Sequence, residues 1–116
     1  MQIKIYHYNK CKKSRAGLEF LNKKGAEPLV VNYVEEGIPV EKLKELLKKL
    51  KLPAADMVRK QEDYYKDTLK YQDINEEGWI KILSEYPKLL RRPIVEIGDK
   101  AVVADPPEAV NKILTA

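Results

Sequence analysis

The stretch Ile3-Lys4-Ile5-Tyr6-His7-Tyr8-Asn9-Lys10-Cys11-Lys12-Lys13-Ser14-Arg15-Ala16-Gly17-Leu18 decides how this chain is read. Ile3 to Tyr8 alternates and carries two tyrosines, which predicts a first strand. Asn9 to Ser14 is a short polar segment. A helix is expected from about Ser14 to Lys24, with Gly17, Leu18 and Leu21 on one buried face. Lys23, Lys24 and Gly25 end it, with cations near the negative end of the dipole and then a residue that tolerates positive φ. Cys11 therefore falls between a strand and the start of a helix. The unpaired N–H groups and dipole of a helix N-terminus favour an anion, and the thiolate is the nucleophilic form of cysteine. Lys10, Lys12, Lys13 and Arg15 add positive potential. A lone cysteine is more often a small buried hydrophobe. The polar, cationic neighbours and the loop position favour a reactive thiol here.

Ser14 stands three residues after Cys11, where a dithiol enzyme would place its second cysteine. Its hydroxyl can donate a hydrogen bond to the sulfur but cannot resolve a disulfide. His7, the only histidine, either supports the thiolate electrostatically or faces solvent from the strand. Its spacing is compatible with both.

Working outward, 116 residues is the length of one domain, large enough to bury a core without disulfides. The single cysteine excludes an internal disulfide and a multi-cysteine zinc site, and one histidine with one cysteine makes no metal site. No apolar run approaches the roughly 20 residues of a membrane span. The N-terminus reads as a strand rather than a signal peptide, so a cytoplasmic location is expected. The net charge of +4 comes from lysines spread along the chain, not from the stripe or patch of a nucleic-acid binder. Arginines are few: Arg15, Arg59, Arg91 and Arg92. A planar guanidinium suits oxyanion binding better than an ammonium does.

Pro28 opens a second expected strand, Leu29 to Val34, apolar enough to be covered on both faces, followed by a turn at residues 35–39. From about Val40 to Leu50, Leu43, Leu46, Leu47 and Leu50 recur at helical spacing, and Pro53 stops the helix. Ala54 to Val58 suggests one or two helical turns, and Glu62 to Leu69 another short helix. Asn75 is an expected N-cap with Glu76 and Glu77 behind it, and Trp79, Ile82, Leu83 and Tyr86 form the expected inner face. Ile94–Ile97 and Lys100–Ala104 read as strands joined by Gly98-Asp99 in a type II′ turn. Pro93, just before a strand, suits a cis X–Pro turn. Asp105 and Glu108 suggest a capping box for a last helix, with Pro106 at its first position. The order βαβ, helices, ββα is an α/β, thioredoxin-like arrangement with a mixed sheet. The core spans about residues 1–39 and 87–116. A helical insert at about 40–86 separates the halves and is expected over one sheet edge.

With these motifs in place, the chain resembles the glutaredoxin-coupled arsenate reductases (ArsC) and their Spx-type relatives over nearly its whole length. The matching residues are Ile5-Tyr6-His7, the C-x-x-S-R of Cys11 to Arg15, Glu27-Pro28, Val58-Arg59-Lys60, Arg92-Pro93-Ile94-Val95, and Pro106 with Glu108. The resemblance implies a cysteine that attacks arsenate, with glutathione as co-substrate, glutaredoxin as partner and no bound cofactor or metal. By position, Cys11 is the implied nucleophile, with Ser14 and His7 tuning it. Arg59 and Arg92 are the implied oxyanion ligands, and Arg15, Lys12 and Lys13 contribute positive potential. Pro93 is the implied cis proline. The chain departs from the family at Asp105, where catalytic members carry a third arginine. Two alternatives follow: a glutathione-dependent thiol/disulfide reductase without arsenate activity, or an Spx-like regulator that binds RNA polymerase. For the regulator, Lys44, Lys48, Lys49 and Lys51 would be a contact surface. Ser14 removes the C-x-x-C switch usual in that branch.

Overall fold

A computed structural model describes residues 2–114. Four strands form one mixed sheet in the order β2-β1-β3-β4. β1 (Ile3–Tyr6) lies inside the sheet, parallel to β2 (Leu29–Val31) and antiparallel to β3 (Ile94–Ile97), which pairs antiparallel with β4 (Lys100–Val103). Strand alternation sends Ile5 and Val95 to one face and Tyr6 and Ile94 to the other, so each face builds its own core. The first face is covered by α1 (Lys12–Lys23), through Leu21, and by the C-terminal turn, through Val110. The sheet is thus the mixed α/β, thioredoxin-like arrangement that the element order predicts.

The insert covers the second face rather than one edge. α3 (Val40–Leu50) buries Leu43, Leu46 and Leu47, and α5 (Glu76–Glu85) buries Ile80 and Leu83 in the same core as Tyr6 and Ile94. Each such leucine or isoleucine contributes about 1.5–3 kcal/mol. This face of the sheet is apolar and would otherwise meet water. Between α3 and α5 run a 3₁₀ turn (Ala54–Met57), a short helix α4 (Asp63–Asp67) and a second 3₁₀ turn (Leu69–Tyr71).

Several local expectations are met. Gly25, after α1, has φ +81°, and Asn75 caps α5 by accepting a 2.8 Å hydrogen bond from the Gly78 N–H. Gly98 has φ +61° while Asp99 stays out of the positive region, as a type II′ turn requires. The Arg92–Pro93 peptide is cis.

Others are corrected. β1 ends at Tyr6 and α1 begins at Lys12. The second strand is neither long nor covered on both faces: it is three residues at the sheet edge, with Leu29 exposed. The chain then turns at Asn32 into α2 (Tyr33–Glu36), which sends Tyr33 inward to full burial. On α5 the inner face is Ile80 and Leu83, whereas Tyr86 lies beyond the helix and is exposed. Asp105 caps nothing: Pro106 is the N-cap of a 3₁₀ turn (Pro107–Val110) that leads into α6 (Asn111–Leu114), and the Asp105 carboxylate pairs with Lys13 at 3.1 Å. Of Lys44, Lys48, Lys49 and Lys51, Lys48 and Lys51 are exposed and the other two are paired. Lys49 bridges Glu45 and the buried Glu96, and Lys44 pairs with Glu77.

Candidate active site

The loop after β1 is built to hold Cys11 at a helix start. The Cys11 N–H donates to the Tyr8 carbonyl at 3.0 Å, and its own carbonyl accepts the first helical bond from Arg15 at 3.0 Å. Its φ/ψ of −98°/124° is extended, as for an N-cap. Two side chains of α1 fold back to fix this loop. The buried Ser14 hydroxyl accepts from the Tyr8 N–H at 3.1 Å, and the Arg15 guanidinium donates to the Asn9 carbonyl at 3.0 Å. The sulfur itself is half-buried and free.

Burial pushes the Cys11 thiol up, but the Ser14 N–H, the Arg92 guanidinium and the Lys13 N–H together outweigh it. The net effect is below the ordinary 9.0. The sulfur makes no close capping hydrogen bond, so these groups act mainly on its charge. The Ser14 effect comes from its backbone, while its hydroxyl serves the loop.

Arg92 is 6% exposed. It donates to the Lys88 carbonyl at 2.7 Å, and its guanidinium carbon sits 4.9 Å from the Tyr8 ring centre. Its Nε has no protein partner. A buried guanidinium that draws the neighbouring thiol toward its anionic form favours negative charge at this point of the fold. Tyr33 completes the inner wall. Its hydroxyl donates to the Leu90 carbonyl at 3.1 Å, and burial pushes it up to about 12 although Arg92 pulls it the other way. It therefore stays neutral at physiological pH.

Arg59 arrives from the insert through backbone pairing. The Arg59 N–H donates to the Leu89 carbonyl at 2.7 Å and the Arg91 N–H to the Met57 carbonyl at 2.8 Å, flanking a bridge between Val58 and Leu90. This pairing puts Arg59, Arg91 and Arg92 on one cavity of about 330 Å³, together with Lys13, Lys60 and Asp105. Arg59 is steadied by Glu62 at 3.3 Å, and Arg91 by the Asp56 carbonyl at 3.2 Å.

The structure thus brings Cys11, Ser14, Arg92 and Lys13 together, and Arg59 lines the cavity with Lys13 and Arg92, whereas Cys11 is not among the lining residues. Arg15 is spent on the loop, and Lys12 is exposed and outside the cavity lining. His7 does not face solvent. It is 4% exposed with an unpartnered Nδ1, and burial, joined by the Arg15 charge, lowers its proton affinity below the usual 6.5. Pro93 is buried against α1: a Cβ on Gly17 would fall 2.6 Å from its Cγ. Tyr8, Tyr33 and the Lys88 carbonyl were missed as site groups. Tyr33 was hidden inside the expected strand, and Tyr8 carried only a strand signal. Among the described residues, no group of three or more His, Cys, Asp or Glu is placed to hold a metal ion, and no helix is long and apolar enough to cross a membrane.

The chain that places a cysteine at a helix start near a buried arginine is similar to known proteins over nearly its whole length. The model of the ArsC family matches residues 6–113. The chain is 41% identical over 115 residues to the uncharacterised protein YfgD of Escherichia coli, covering 97% of each chain. It is 37% identical over 116 residues to an arsenate reductase of Haemophilus influenzae, covering 98% of this chain and 100% of that one. The solved arsenate reductase of Vibrio cholerae superposes with a TM-score of 0.92 at 37% identity over 98% of both chains. By its loop, its insert and these matches, the chain belongs to the ArsC family.

Proposed function

We propose that this protein is an arsenate-reductase-type thiol oxidoreductase in which Cys11 is the single protein nucleophile and glutathione with glutaredoxin is the reductant. The observation that carries the reading is Cys11 at the start of α1, its thiol held below the ordinary 9.0 with Arg92 among the causes. In the first step the thiolate bonds to arsenic(V), and one arsenate oxygen leaves as water after taking protons. Arg92 and Arg59 offset the charge of the oxyanion and of the covalent adduct, so positioning and electrostatics carry most of the catalysis. A glutathione thiolate then attacks the Cys11 sulfur. The S–S bond forms, the S–As bond breaks with its electron pair going to arsenic, and arsenite leaves. Glutaredoxin reduces the mixed disulfide and restores the thiol. A lone reactive thiol that depends on glutathione suits the reducing cytoplasm.

The test is a coupled assay with glutathione, glutaredoxin, glutathione reductase and NADPH. Arsenate-dependent NADPH loss is expected, and it should vanish in Cys11→Ser. Turnover that persists in Cys11→Ser would overturn the mechanism.

One observation favours a second reading, a glutathione-linked thiol/disulfide reductase of the same family without arsenate activity. Asp105 lines the cavity where the family places an arginine, and it occupies Lys13. Arsenate is a mono- to dianion near neutrality, so a carboxylate there weakens its binding. On this reading Asp105→Arg creates or raises arsenate turnover, and no gain would count against it.

A further inference from the structure

The turn that carries Arg92 into β3 has three successive carbonyls, each taken by a different donor. The Lys88 carbonyl accepts from the Arg92 guanidinium at 2.7 Å, that of Leu89 from the Arg59 N–H at 2.7 Å, and that of Leu90 from the Tyr33 hydroxyl at 3.1 Å. The first donor is Arg92 itself and the second is backbone of the insert. The third is a fully buried side chain from α2. A phenylalanine would fill the same space, so what the tyrosine adds is the oxygen. Its proton goes to Leu90. A hydroxyl keeps acceptor lone pairs after donating, so toward any other neighbour Tyr33 can only accept. The charged and titratable groups that face it are Arg92, Arg59 and Cys11. Burial opposes the charge of Arg92, but Cys11 and Tyr33 beside it more than offset this. Because burial pushes Tyr33 itself up to about 12, the phenol stays neutral. It therefore orients a guanidinium without cancelling its charge, as a carboxylate in the same place would. The same guanidinium lies 4.9 Å from the Tyr8 ring centre. Tyr8 anchors the cysteine loop, with its carbonyl accepting from the Cys11 N–H at 3.0 Å and its N–H donating to the Ser14 hydroxyl at 3.1 Å. Contacts thus run from Tyr33 through the Leu90–Arg92 backbone to Tyr8 and Cys11.

We infer that Tyr33 is a positioning residue: its hydroxyl, fixed by the Leu90 carbonyl, holds the Arg92 guanidinium toward Cys11 and so sets how readily the sulfur reacts. Tyr33 acts through Arg92 and not on the sulfur, a role that rests on the reading of Cys11 as the reacting thiol with Arg92 as its counter-charge.

The test is the pH profile of alkylation by iodoacetamide, in which the thiolate forms an S–C bond and iodide leaves. Only the thiolate reacts, so the midpoint reports the charge environment of the sulfur and the plateau at high pH reports access to it. The full chain is compared with Tyr33→Phe, Arg92→Gln, the double variant and Ile80→Val. The last trims a residue of the same core that lies outside the site, and it controls for lost stability.

Tyr33→Phe is expected to raise the midpoint and to slow alkylation below it by about threefold, the ratio that one neutral hydrogen bond supplies. The plateau does not fall. In the double variant the midpoint rises no further than in Arg92→Gln alone, since residues that act through one another are not additive. Ile80→Val keeps the wild-type midpoint. A Tyr33→Phe midpoint that stays put while Arg92→Gln moves it overturns the role of Tyr33 and leaves Cys11 and Arg92 standing. Additive shifts in the double variant, or an equal shift in Ile80→Val, overturn it too. An unmoved midpoint in Arg92→Gln instead removes the reading of Arg92, and the role of Tyr33 with it. Proton–nitrogen NMR of the arginine side chains needs no change at position 33. A held guanidinium gives separate Nη–H signals, and a freely turning one gives a single averaged signal. Separate signals are expected for Arg92, identified by their loss in Arg92→Gln, and an averaged signal overturns the holding.

Discussion

Gly17→Ala joins the packing of the fold to the reactivity of the site. Gly17 lies in the middle of α1, and its buried face meets Pro93 and Ala104. In a helix an alanine is ordinarily better than a glycine by about 0.5–1 kcal/mol, so propensity alone predicts a more stable protein. The structure predicts the reverse. A Cβ at position 17 would sit 2.6 Å from Pro93 Cγ and 3.7 Å from Ala104 Cβ. The first distance is far below van der Waals contact. The obstacle is a ring tied into the backbone at the head of β3, not the tip of a flexible side chain, so α1 and the Arg92–Pro93 turn must separate. Overpacking of this kind costs about 1–3 kcal/mol. Because the ring yields little, we place the strain near the upper end and the net destabilisation at about 2 kcal/mol.

At about 4 °C per kcal/mol for a chain of this size, the expected fall in Tm is about 8 °C. The same separation moves Arg92, the residue before Pro93, away from Cys11 at the start of α1. Thermal unfolding measures the first effect, and the pH dependence of iodoacetamide alkylation measures the second. The alkylation midpoint is expected to rise in Gly17→Ala. A variant as stable as the wild type, with an unmoved midpoint, would refute the close approach of α1 to Pro93 and its role in setting the site.

Arg92→Gln should raise the alkylation midpoint of Cys11 toward the ordinary 9.0, because the guanidinium favours the thiolate; an unchanged midpoint would remove Arg92 from the site's electrostatics. Tyr33→Phe leaves the Leu90 carbonyl without its donor inside the core, and chemical denaturation should show a loss of about 1–2 kcal/mol. Glu96→Gln should cost about 2 kcal/mol, because it removes the carboxylate that Tyr6, Lys42 and Lys49 share. Burial pushes Glu96 up, but the Lys49, Tyr6 and Lys42 contacts outweigh it and hold it below 4.5. Its stabilisation is therefore complete above that value and lost as pH falls through the lower folded value, so the acid limb of a Tm-against-pH curve should flatten in Glu96→Gln. His7 is also held below its ordinary value, with burial the main cause. The folded protein thus takes up its proton later than the unfolded chain does, and stability declines as pH drops below about 6.5. In His7→Gln this first decline should disappear while the glutamate limb remains.

The parts of the site that the sequence displays are the parts made locally. Cys11, Ser14 and Arg15 sit within a turn of one another, so strand periodicity, a polar break and a helix start were enough to place them. The Gly98 turn and the Asn75 cap were legible for the same reason, since each is a contact between residues at most three apart. What the sequence does not display comes from distant pairing. Arg59 reaches the cavity only because irregular chain around Val58 bridges irregular chain around Leu90, and neither segment has a period to read. Tyr33 looked like strand because Leu29 to Val34 is apolar. In the fold its apolar ring fills the core beneath Arg92 while its hydroxyl satisfies a carbonyl. Asp105 followed by Pro106 has the pattern of a cap, yet a cationic neighbour from α1 claims the carboxylate first.

On the proposed function, these distant pairings also make the insert part of the site and not an appendage. β3 meets the insert at both ends. Arg92 and Pro93 enter the strand at the cysteine pole, and Glu96 is tied to Lys42 and Lys49 of α3 toward the other. The lysines cross from α3 to a carboxylate buried in the sheet, fixing α3 against the strand that carries Arg92. The Val58–Leu90 bridge then fixes the chain leading away from α3 beside the chain leading into that strand. A guanidinium from the insert and one from the core are held on one cavity by backbone hydrogen bonds rather than by flexible side chains. Such an arrangement costs little reorganisation when an anion arrives, which is the condition under which fixed charges stabilise a reacting group most.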